Sequence, residues 1–158
     1  NFFVHSNKII CEQIAITNKK GKTKFFISQQ KTGHNSLYSI NSNNNFISVK
    51  TTSLDLYLKP KEKIDVVKID AEGSEPLIIK GMKNVIMNNP NIIIFMEFCP
   101  SNLKRAGVNQ IGFIKELLKL NLKIKLVDDF SGETLDVTEK KLINCFSENL
   151  MLTKKFIH

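Results

Sequence analysis

Tryptophan is absent from the 158 residues, and a single arginine, Arg105, stands against 22 lysines. Arginine's planar fork is the side chain that reads guanine edges and stacks on bases, so the chain has little means of base recognition. The net charge is still +8, but no run of lysines exceeds two. Charge dispersed in this way reads as a solvated surface, and no nucleic-acid partner is expected. The three cysteines, Cys11, Cys99 and Cys145, lie far apart without a CxxC or Cys/His ligand spacing. They read as buried thiols in a reducing compartment, the cytoplasm. His5, His34 and His158 show no ligand spacing either, and no metal site is assigned. Only His34 merits attention, because it follows Gly33 in a loop. No apolar run reaches the roughly 18 residues of a bilayer span. The longest, Ile92 to Phe98, is broken by Glu97. No signal peptide is recognisable at the start, and no membrane partner is expected.

What remains is an ordinary globular composition, 42% hydrophobic and 24% charged. A chain of this size can bury about 68 to 70% of the surface its unfolded state exposes, enough for a core without disulfides or metal staples. Residues 1–158 read as a single domain.

Short Ile- and Phe-rich stretches at Lys8 to Ile16 and Lys22 to Ser28 flank a Lys19-Lys20-Gly21 turn and predict two strands. Residues 29–46 carry Gly33 and three successive asparagines without periodicity and predict a loop. Ser48 to Leu58 alternates and then closes in a short helical turn before Pro60. Ile64 to Asp70 predicts a strand, and Pro76 suits the first turn of a helix. Leu77, Ile78, Met82, Val85 and Ile86 continue that helix at helical spacing until Asn88-Asn89-Pro90 stops it. Asn91 to Phe98 is almost continuously apolar, which predicts a strand buried on both faces. Strand, helix and strand at this spacing make a right-handed βαβ unit. A polar loop at Pro100 to Asn109, a helix over Ile111 to Leu122, a strand at Lys123 to Asp128, a short helix at Thr138 to Phe146 and a last strand at Asn149 to Thr153 complete an α/β chain.

In such sheets ligands bind beyond the carboxyl ends of the strands. Asp70 and Glu72 follow one strand of the βαβ unit, and Glu97 ends the other. Three carboxylates at adjacent strand ends need something cationic between them: a metal, a lysine, a cluster of backbone N–H groups or a positively charged ligand. Glu75 reads differently, as an acid in the first turn of a helix, where it is favoured by about 0.3 to 1 kcal/mol.

The run Val67-Lys68-Ile69-Asp70-Ala71-Glu72-Gly73-Ser74-Glu75 resembles the signature of the FkbM family of S-adenosylmethionine-dependent methyltransferases, an acid-x-acid-Gly-x-acid turn after a buried strand. Ala15-Ile16, Phe25-Phe26, His34-Asn35-Ser36-Leu37, Thr52-Ser53-Leu54-Asp55, Lys80-Gly81, Ile93 to Glu97 and Asn149-Leu150 follow the family's order. The resemblance implies a class I methyltransferase (Rossmann-like) sheet, mostly parallel with an antiparallel last strand. It implies a cytoplasmic enzyme that binds S-adenosylmethionine and methylates a hydroxyl of a small molecule or sugar. Asp70, Glu72 and Glu97 would form the catalytic rim, and Ile14, Ala15 and Asp70 would contact the cofactor. The family's Gly-rich turn has no counterpart, since no GxG occurs among the seven glycines. With Asn1 rather than Met at the start, the chain reads as the C-terminal part of the domain, lacking the first strand-helix units. The other reading is a non-catalytic binding module derived from such an enzyme, whose open sheet edge would favour a homo-oligomer.

Overall fold

A computed structural model describes residues 9–28, 35–39 and 45–154. The expectations for His5, His34, His158 and much of the 29–46 loop lie outside the described residues. The elements run β1 (Ala15–Ile16), β2 (Gly21–Phe26), β3 (Phe46–Thr52), α1 (Leu54–Tyr57), β4 (Val66–Ile69), α2 (Glu75–Lys80), α3 (Lys83–Asn88), β5 (Ile93–Phe98), α4 (Pro100–Arg105), α5 (Gln110–Lys119), β6 (Leu122–Val127), β7 (Thr134–Asp136), α6 (Glu139–Asn144) and β8 (Glu148–Lys154).

The chain is α/β with two sheets, of order β1-β3-β2 and β4-β5-β8-β6-β7. Both are mixed. Parallel pairing joins β1 to β3 and β4 to β5, while β2–β3, β5–β8, β6–β8 and β6–β7 are antiparallel. A mostly parallel sheet is therefore not what forms, although the last strand is antiparallel as expected. The reason is topological: β8 inserts between β5 and β6 and is antiparallel to both, and β6 folds back on β7 through a tight turn. In that turn Asp128 Oδ1 accepts from the backbone of Phe130 at 3.1 Å and Ser131 at 2.8 Å. Gly132 supplies the left-handed residue, φ 72°.

Continuous apolarity in β5 does not mean burial on both faces. Ile94, Met96 and Phe98 are buried, while Ile93, Phe95 and Glu97 between them are half-buried. The register puts Leu150 opposite Met96, Leu152 opposite Ile94 and Leu126 opposite Leu150. The buried residues of the strands thus share one face, where they join Ile79, Ile86, Leu103, Phe113 and Leu142 from α2–α6 in one core. Phe98 and Phe113 stack there with centroids 6.4 Å apart.

Three local expectations also change. The helix after β4 is not continuous but breaks at Gly81, which seats against the end of β1. A Cβ on Gly81 would collide with the Thr17 carbonyl oxygen and lie 2.9 Å from Ser53 Cβ. Residues 100–105 form a helix rather than a polar loop, started by Pro100 and anchored by Leu103, which is 1% exposed. The first strand is two residues long, with Ile9 and Ile10 exposed before it. Cys11 is exposed and Cys99 and Cys145 are half-buried, so the thiols are less enclosed than the composition suggested.

Candidate active site

β4 and β5 run parallel in register, with Ile69 opposite Met96, so the residues that follow emerge at the same end of the sheet. Asp70, Glu72 and Glu97 converge there, each offering a carboxylate oxygen within 4.8 Å of the others. This spacing can hold a cation or the cationic end of a ligand. The three are held differently. Asp70 is exposed, and its carboxylate has no hydrogen bond or ion pair among the described residues. Glu97 Oε1 accepts from the Ser147 hydroxyl at 3.0 Å. Glu72 Oε2 accepts from Asn102 Nδ2 at 2.9 Å and lies 3.7 Å from the Arg105 guanidinium.

The turn that carries Asp70 and Glu72 is shaped by two successive left-handed residues, Glu72 at φ 50° and Gly73 at φ 99°. A non-glycine residue in this region costs of order 1 to 3 kcal/mol and persists only where its surroundings hold it. Here the Glu72 carbonyl accepts from Ser36 Oγ at 2.8 Å and from Arg105 at 3.1 Å. From inside the turn, Glu75 Oε1 accepts from the N–H groups of Ala71 at 3.0 Å and Gly73 at 3.2 Å. Glu75 is 4% exposed. Burial pushes its carboxyl above the ordinary range, the backbone donors pull it down less strongly, and the Glu97 charge adds to the rise. The Tyr38 hydroxyl is held above its ordinary value by burial and by Glu75 nearby, so it stays a neutral donor at physiological pH.

Beside this turn lies a cavity of about 410 Å³, between β4 and the small sheet. Its walls are mainly apolar, with Ile16, Phe25, Leu37, Val67 and Ile78 among them, and its polar residues are Asn35, Ser36, Lys68, Asp70 and Ser74. The hydroxyl of Ser74, a residue 2% exposed, is buried with no hydrogen-bond partner among the described residues. Ala15 lines this cavity together with Asp70, which β4 brings to it. Ile14 lines a different pocket of about 380 Å³, with Gly21, Thr51 and Tyr57. Glu72 and Glu97 stand outside the cavity wall, at its rim through Asp70.

Several residues of this constellation carried no signal of their own in the sequence. Asn102 and Arg105 sit in a helix that reads as a polar loop, and Ser147 follows a helix end. Ser36 and Asn35 belong to a stretch matched only as a flanking piece. The signal for α4 was Pro100 with Leu103 three residues on, a weak helix start.

An acidic strand-end rim beside an apolar cavity marks the candidate site of this α/β domain. The family model described as Methyltransferase FkbM domain matches residues 1–124. The chain belongs to this methyltransferase family. No curated protein and no solved structure matches it. Among the described residues no helix is long and apolar enough to cross a membrane.

Proposed function

We propose that the chain binds S-adenosylmethionine in the cavity beside β4 and that its methyl group passes to a hydroxyl of a small molecule or sugar. The observation that carries this reading is the shared wall. Ala15 of the small sheet and Asp70 beyond β4 line one cavity, together with Ser74, whose buried hydroxyl has no partner among the described residues. A buried polar atom without a partner costs about 1 to 3 kcal/mol, a cost that a ligand hydrogen bond would remove. The cavity volume of 410 Å³ falls within the range of about 300 to 1,000 Å³ found for sites of drug-sized ligands.

When bound, the cofactor supplies a methyl group on a sulfonium cation. The acidic rim favours such a cation on Coulombic grounds. Asp70, exposed and without another partner among the described residues, is the group able to accept the hydrogen bond, and then the proton, of an acceptor hydroxyl. Glu72 and Glu97, tied to Asn102 and Ser147, hold the remaining negative charge in fixed places. Ala15, with Ile16 and Leu37, offers apolar surface to the ring system of the ligand, while Ile14 lines the other pocket. On this reading the mixed sheets are a variant of the class I methyltransferase sheet, and the setting is the cytoplasm.

Isothermal titration with S-adenosylhomocysteine and with S-adenosylmethionine tests the reading. The chain is expected to bind, and Asp70→Asn to weaken binding of S-adenosylmethionine by at least about tenfold through loss of a charged partner. Equal affinities in the two proteins, or no binding to either, would sink it.

A further inference from the structure

We propose that Glu75 is the positioning residue of this site: its buried carboxyl holds the Asp70–Gly73 turn in the shape that presents Asp70 and Glu72. The proposal rests on the cofactor reading above. Where a left-handed residue follows a right-handed one in a turn, successive backbone N–H groups point to one side and make a concavity that suits an anion or another strong acceptor. The turn at the left-handed Glu72 presents the N–H groups of Ala71 and Gly73 in this way, and the oxygen they meet is Glu75 Oε1. The protein thereby fills its own nest with a side chain from the first residue of α2.

Glu75 does not line the cavity, whereas Ala71 and Ser74 on either side of the turn do. It therefore acts through the turn. On the outer side of the turn the Glu72 carbonyl is held by Ser36 and Arg105. Without Glu75 the inner side has no acceptor for two N–H groups, one of them on buried Gly73. The turn then relaxes to expose them, and both carboxylates move with it.

A plainer role would be an acid that complements the N-terminus of α2. That role depends on charge, whereas the positioning role depends on an acceptor oxygen at the right reach, so glutamine and leucine separate the two. Glu75→Gln, Glu75→Leu and Glu75→Asp are compared with the unaltered chain by titration with S-adenosylhomocysteine and by amide exchange at Ala71 and Gly73. Glutamine is expected to restore affinity to within about threefold and to keep both amides protected. Leucine, and aspartate with its shorter reach, are expected to weaken binding by at least about tenfold and to speed exchange at these two amides. Wild-type affinity in a folded leucine or aspartate variant overturns the proposal. So does a glutamine variant as weak as leucine. If the unaltered chain binds no ligand, the cofactor reading falls, and exchange alone decides: protection of Ala71 and Gly73 retained in the leucine or aspartate variant overturns the positioning role.

Discussion

The backbone carbonyl oxygen of Asn102 stands 2.7 Å from where a Cβ on Gly73 would lie, while the Asn102 side chain donates to Glu72 Oε2 at 2.9 Å. One residue of α4 thus closes off the turn at one atom and grips its carboxylate with another. Gly73 also carries a φ of 99°, where an L side chain is strained whatever space it has. Gly73→Ala is expected to destabilise the chain by at least about 1 to 3 kcal/mol, from strain and from displacement of α4. Because the same displacement moves Glu72, affinity for S-adenosylhomocysteine should fall together with the urea midpoint. A variant of unchanged stability would show that the approach of α4 is looser than described.

Asp55, by contrast, serves the fold alone. Its carboxylate accepts from the N–H groups of Asn84 at 3.2 Å and Val85 at 3.0 Å, the first turn of α3, although it belongs to α1. Its own N–H donates to the Gly81 carbonyl at 2.9 Å. Asp55→Ala should cost about 0.5 to 2 kcal/mol, as loss of a helix cap does. Since Asp55 lines a separate pocket with Pro60 and Asn88, ligand affinity should stay within about twofold of the unaltered protein. Thermal denaturation and titration on the same sample check both halves.

The buried carboxyl of Glu75 carries a pH dependence of definite sign. Its folded-state value lies above the ordinary 4.5, so from about 4.5 up to that raised value the folded chain binds more protons than the unfolded one. Stability contributed by this group is therefore full below 4.5 and declines as pH rises through that window. Glu75→Gln removes the dependence while keeping an acceptor oxygen. Urea unfolding at several pH values should show the variant gaining on the unaltered chain from acid to neutral pH. A gap that is constant, or that moves the other way, would contradict the burial argument.

Much of this site was legible because its central residues are close in sequence. An apolar strand ending in Asp70, with Glu72 and Gly73 next, allows few other geometries, and a parallel partner strand carries Glu97 to the same end. The family pieces around Ser53, Asp55 and Gly81 gain their meaning only in three dimensions, where the first two reach the break between α2 and α3. Glu75 was read as a helix-start acid, and it does begin α2. Its grip on Ala71 and Gly73 depends on the left-handed pair before it, which nothing in residue type announces at Glu72. The one-sided burial of β5 was hidden for a similar reason. Ile93 and Phe95 are as apolar as Ile94 and Met96, so the strand alone does not tell which face the helices cover. The insertion of β8 between β5 and β6, which makes the sheet mixed, is a long-range pairing without a local signal.

The central claim is that a ligand enters the cavity between β4 and the small sheet. Chemical-shift mapping of the labelled chain during titration with S-adenosylhomocysteine tests it most directly. The backbone signals of Ala15, Ser36, Asp70, Ala71 and Ser74 should move together and saturate with one affinity, while those of Pro60's neighbours Lys59 and Lys61, in the pocket lined by Asp55, stay still. Shifts confined to another face of the molecule, or none at concentrations where related signals would saturate, would contradict the account.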